Sequence, residues 1–236
     1  MTTPDVDLHN SPAELEVRRI ARLANLDPGD LTGLESIGVQ DLRTLRDQIA
    51  AKLFDEHTES WERAVAVSAV VPAALSAKLS EAALGPVLCA RVTPLTPPAR
   101  AVDIGSRMSP EFMADVAINL DPRKVSDLVV AMPPATIAAI SRVLADRGEW
   151  LVMADFVATV QPEALRTTIQ ALDKESILRI AVLLEDRQRI IAVAQVMAQD
   201  RLAGLRLAAD DNDLQAHLDF VRDSLDSQQR ARLAGD

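Results

Sequence analysis

Ser109-Pro110-Glu111-Phe112-Met113-Ala114-Asp115-Val116-Ala117-Ile118-Asn119-Leu120 runs directly into Asp121-Pro122-Arg123-Lys124-Val125-Ser126-Asp127-Leu128-Val129-Val130-Ala131-Met132. The two stretches share one layout: Ser or Asp first, proline second, apolar residues fifth, eighth and twelfth. Ser and Asp side chains accept from the first free amides of a helix. Proline suits the first helical turn, where its missing N–H would have no partner. At about 100° per residue, positions 5, 8 and 12 fall on one stripe ~60° wide. Each stretch therefore reads as a capped amphipathic helix of about ten residues and a tight turn. A helix that short does not hold its shape alone and must stack on neighbours.

The layout extends in both directions. Proline recurs at Pro86, Pro98, Pro110, Pro122 and Pro134, each 12 residues after the last. The next unit carries Ile137, Ile140 and Leu144. Ala145-Asp146-Arg147-Gly148 reads as a four-residue insertion, after which Glu149 opens a unit with Met153, Phe156 and Val160 in phase. Further units begin at Gln161, Asp173, Asp186 and Ala198, with Glu185 as one extra residue, and the phase persists to Ala209. Two weaker helices are expected around 214–221 and 227–233. Upstream, Ser11-Pro12 is a cap-and-proline start for a helix reaching Asn25, and 34–49 reads as two helices with Gly38 between them. Thr93 to Pro98, with three prolines, marks the join. The expected fold is all-α. A tail at 1–12 leads into a helical region at 13–96, and 97–236 forms short helical repeats stacked as an α-solenoid or right-handed superhelix with C-terminal capping helices.

Units of the form Asp-Pro-x-x-Val-x-x-Leu-x-x-x-Met resemble the repeats of the N-terminal cytosolic domain of MgtE-type magnesium transporters. They are also similar to the short helical repeats of the flagellar motor switch protein FliG. The resemblance covers about 97–209 and implies architecture. The transporter's membrane helices and CBS-domain strands are not matched, so it implies a stand-alone soluble protein and carries over neither transport nor a magnesium site.

Composition points the same way. Of 236 residues, 48% are hydrophobic and 25% charged, with 3% aromatic and no tyrosine, which disfavours β-sandwiches and barrels. Cys89 is the one cysteine, which excludes a disulfide scaffold. The net charge of −10 opposes nucleic-acid binding, so no nucleic-acid partner is expected. The charge is uneven: residues 61–108 hold five bases against three acids, while both ends are acidic. Met1 to Asp7 lacks a basic region and an apolar run, so no secretory signal is expected and the cytoplasm is the expected location. Leu34 to Leu42 resembles half of a helix-hairpin-helix motif, but Ser36 stands at the first glycine position and acids surround it. A plain helical hairpin is the preferred reading.

No catalytic constellation emerges. His9, His57 and His217 lie outside helical reach of one another, and no phosphate-loop, dinucleotide or nucleophile-elbow motif occurs. His57 lies on an acidic helix face, where adjacent side chains diverge rather than converge on a metal. Cys89, in an apolar run, reads as an inert core thiol. No cofactor and no metal are expected. The expected function is that of a non-enzymatic scaffold or adaptor binding a protein partner, and a homo-oligomer is compatible with it. Arg147 and Trp150, at the insertion, are the candidate partner-binding residues, because Arg and Trp dominate interface hot spots. The alternative is a peripheral lipid- or membrane-associated protein using the apolar 64–90 segment, which otherwise reads as buried helix.

Overall fold

A computed structural model of the chain describes residues 11–55, 61, 65, 70–184, 186–211 and 214–235. The expected tail lies outside the described residues except for Ser11 and Pro12, and so do His9 and His57. The described residues contain helices and turns and no strand. They fall into two compact units. One is built on the residues up to Met108 with Asp115–Asp121, the other on Ser109–Ala114 and the residues from Pro122 onward.

The first unit begins with α1 (Pro12–Ala24), a 3-10 turn (Pro28–Ser36) and α2 (Val39–Asp55). Ser11 Oγ accepts from the Glu14 amide, and the Glu14 carboxylate accepts from the Ser11 amide. This reciprocal box is the start that Ser-Pro implies. Ala13, Val17, Ile20 and Leu42 form the core between α1 and α2, with Leu34, Leu45 and Ile49 against it. Then follow α3 (Ala73–Leu79), a π-turn (Ser80–Leu84), α4 (Gly85–Val92) and α5 (Pro98–Gly105). Helix α5 packs on α3, and Arg100 donates to the Val71 carbonyl at 2.8 Å.

The helix α6 (Pro110–Ile118) precedes α7 (Ser126–Ala131), α8 (Pro134–Asp146), α9 (Trp150–Val157), α10 (Pro162–Ala171) and α11 (Lys174–Ala181). The chain continues through α12 (Arg187–Val196), α13 (Gln199–Ala203), α14 (Leu205–Asp211), α15 (Gln215–Ser224) and α16 (Ser227–Ala234). Within the second unit α8 packs on α10, α9 on α11 and α10 on α12, three contacts each made with the helix after next. Helix α11 is also covered by α14 and α15.

The stripe residues behave as their spacing implies. Val125, Leu128, Met132, Ile137, Leu144, Met153, Leu172, Ile177, Ile180 and Leu184 are buried, and Ile140, Phe156 and Leu165 are half-buried. Burial of each large aliphatic side chain contributes about 1.5–3 kcal/mol. The acidic and Ser starts act as caps. Asp173 Oδ1 accepts from the Ser176 amide at 2.7 Å, Asp186 Oδ1 from the Gln188 amide at 2.8 Å, and Ser109 Oγ from the Phe112 amide at 3.3 Å. Helices opened by Pro133, Gln161 and Ala198 lack a side-chain cap bond. Two local details differ from the regular unit. Asp121-Pro122 leads a 3-10 turn (Pro122–Lys124), and the helix proper starts only at Ser126. Of the residues counted as an insertion, Ala145 and Asp146 belong to the 13-residue α8, and Arg147 and Gly148 form the turn after it.

Arginine closes the other ends. Arg187 Nε donates to the Ser224 carbonyl at 2.7 Å and Arg230 Nε to Leu225 at 3.0 Å, both at the end of α15. Arg232 donates to Ala194 and Met197 at the end of α12, Arg206 to Ala234, and Arg201 to Leu172. The last carbonyls of a helix lack intrahelical partners and sit at the negative end of its dipole. A planar guanidinium reaches two of them at once, which gives a structural use to several of the 21 arginines that the chain carries against four lysines.

Candidate functional site

The end of α8 and the start of α9 hold both residues singled out from the sequence. Helix α8 ends in a left-handed glycine: Gly148 has φ +72°. Its amide donates to Ala145, and the Glu149 amide reaches back to Leu144, each at 2.9 Å. This pairing is the Schellman ending, and a side chain at 148 would be strained in that backbone region. The reversal places Trp150 at the first position of α9, half-buried. Its indole Nε1 lies 3.7 Å from where a Cβ on Gly148 would stand, so the ring lies over the turn. Arg147 is exposed, and its Nη2 donates to the Glu111 carbonyl at 3.4 Å. The arrangement is an exposed guanidinium and a half-buried indole on either side of one rigid glycine turn. The acidic residues Asp146 and Glu149 flank the same turn.

The first unit holds a cluster that the sequence reading missed. Glu16 is 1% exposed and accepts from Arg46 Nη1 at 2.7 Å, Arg19 Nη1 at 3.0 Å and Arg43 Nε at 3.4 Å. A carboxylate this deep is tolerated because three guanidiniums compensate it. The signal was present: Ala13, Glu16, Val17 and Ile20 share the inward face of α1, so one member of an apolar stripe is an acid. Arg43 and Arg46 could not be assigned to it without knowing that α2 packs on α1. The cluster ties the hairpin together. At the hairpin turn itself, a Cβ on Gly38 would stand 3.5 Å from Asp41 Oδ2.

Cys89 is buried, and burial pushes its thiol up, with a hydrogen bond to Ser80 pulling the other way. His217 is buried in α15. Among the described residues no three His, Cys, Asp or Glu side chains are grouped to hold a metal ion. The apolar 64–90 segment is described at Val65 and from Val70 onward. Ala77, Ser80, Cys89 and Ala90 are buried, whereas Leu75, Leu79, Leu84 and Val87 are about half exposed. No family model, no curated protein and no solved structure matches the chain.

Proposed function

We propose that the chain is a non-enzymatic scaffold or adaptor in the cytoplasm, built on an α-helical repeat superhelix similar to the N-terminal domain of MgtE-type transporters. One observation carries the reading. From α8 to α12 each helix packs on the one after next, the contact pattern of stacked helical pairs. Stacked pairs leave extended surfaces free for peptides or protein partners. The glycine turn with Arg147 and Trp150 is the working edge, since it joins the two residue types that supply most binding energy when a partner desolvates them.

The test is partner recovery from native cells by the full chain and by Trp150→Ala/Arg147→Ala, with helicity and melting followed in parallel. The expected result is a folded variant with partner affinity reduced at least ~30-fold, the ~2 kcal/mol of a hot spot. A folded variant that recovers every partner unchanged removes the edge from the binding surface. A variant that loses ~3–5 kcal/mol of stability assigns Trp150 to packing instead.

A further inference from the structure

The segment from Val70 to Val92 is built inside out. At about 100° per residue, Leu75, Leu79 and Ala82 lie on one side of the Ala73–Leu84 stretch, and Ala73, Ser76, Ala77 and Ser80 lie on the other. The small residues face the protein: Ala77 is 2% and Ser80 8% exposed. Leu75 and Leu79 face outward, each 48% exposed, and the segment also exposes Leu84 at 48%, Val87 at 49% and Val70 at 86%. Half of the ten large hydrophobic residues exposed among the described residues fall in these 18 positions, so the clustering is not the scatter normal for a surface.

By length and composition Ala73–Leu95 could cross a bilayer. Its backbone is not one helix, however. The Gly85 amide donates to Ser80 in a π-turn, and Gly85 takes φ +75°, ψ 167°, a region open only to glycine, before Pro86 restarts the helix. The two arms, Ala73–Leu84 and Gly85–Val92, span roughly 18 Å and 12 Å at 1.5 Å per residue, against ~30 Å of hydrocarbon. They suit lying on a bilayer rather than crossing it.

We propose that this face docks on an anionic lipid surface. Small residues toward the protein and leucines outward is the order suited to apolar surroundings. The charge agrees: within the segment Lys78 stands three residues from Leu75 and Arg91 four residues from Val87, against Glu81 alone, an excess of one positive charge in a chain of net −10. Lys78 is exposed and three residues from Leu75, placed to reach headgroups while the leucines enter the boundary. A second copy on the same face would bring this positive excess against itself.

The test is flotation of the full chain with vesicles of phosphatidylcholine, alone or mixed with phosphatidylglycerol. The chain is expected to float with the mixed vesicles and far less with phosphatidylcholine alone. Leu75→Glu/Leu79→Glu should lower partitioning more than ~10-fold, and Lys78→Gln about fivefold. Leu75→Ala/Leu79→Ala serves if the glutamate pair fails to keep its helicity, and should also lower partitioning. Failure of the unaltered chain to float with either vesicle overturns the proposal, as does flotation unchanged by the folded leucine variants. Dimerisation without vesicles that the leucine variants abolish would assign the face to a second copy and overturn it too.

Discussion

Leu178→Ala in α11 tests the helix packing of the second unit most sharply. Leu178 is 0% exposed, and α11 is enclosed by α9, α14 and α15. Removing three carbons forfeits about 2.4 kcal/mol of transfer free energy at ~0.8 kcal/mol each. Alanine returns a few tenths through helix propensity. The three surrounding helices limit collapse, so a cavity contribution raises the expected loss to about 3–5 kcal/mol. Urea unfolding is the assay, with Trp61→Phe as background so that Trp150 fluorescence alone reports on the second unit. With a slope of ~2 kcal/mol per molar, the midpoint should fall by about 2 M. Leu207, 68% exposed on α14, is the control, and Leu207→Ala should change stability by less than ~0.5 kcal/mol. A Leu178→Ala loss below ~1 kcal/mol, or equal losses at both sites, would refute the assigned helix stacking.

Asp173→Ala removes acceptors for both the amide and the hydroxyl of Ser176, so it should cost about 1–2 kcal/mol in the same unfolding assay. Glu16→Ala leaves Arg19, Arg43 and Arg46 without their shared acceptor. Since Arg43 is 35% and Arg46 19% exposed and can turn partly to water, the loss should lie at or below the ~3 kcal/mol typical of a broken buried pair, read from hydrogen exchange in α1 and α2. Cys89 should resist a thiol reagent at neutral pH until the chain unfolds. Burial raises its folded pKa above the unfolded value, so its stabilisation is complete below about pH 8.5 and declines as pH rises through the folded value. Cys89→Ala should abolish that part of the alkaline loss in a melting-against-pH series.

The helical character of the chain was legible because proline at fixed spacing, acidic caps and three apolar positions per unit are local signals. Asp173 and Asp186 cap where they were expected to, and the stripe from Val125 to Leu184 is buried or half-buried. The stripe was read too narrow. Leu178, Val129, Ile169 and Ala181 lie off positions 5, 8 and 12 yet are buried, because a helix touching two or more others buries more than one face. A pattern along one chain carries no count of the neighbours it will meet. The Asp121 unit misled for a different reason, since cap and proline start a turn without deciding whether it continues as 3-10 or α. Ala145 and Asp146 of the insertion extend helix α8, and Arg147 and Gly148 form the turn that ends it. Of the candidate site, Arg147 and Trp150 were legible as residue types out of place in a repeat. The Glu16 cluster was not, because two of its three arginines come from 27 and 30 residues away.

The arginine closures also bear on how the second unit is assembled during synthesis. Arg187 to Ser224 spans 37 residues, Arg201 to Leu172 29, Arg206 to Ala234 28 and Arg232 to Ala194 38. Loop-closure cost grows only as the logarithm of length. Ties of this reach are each about 1 kcal/mol cheaper to close than one spanning a hundred residues. A growing chain can therefore set each helix on its predecessors soon after it leaves the ribosome. The exception is α16, which both supplies Arg232 and receives Arg206. Until it emerges the end of α12 stands open, so a chain stopped just before Ser227 would hold α12 but lack the arginine that closes it.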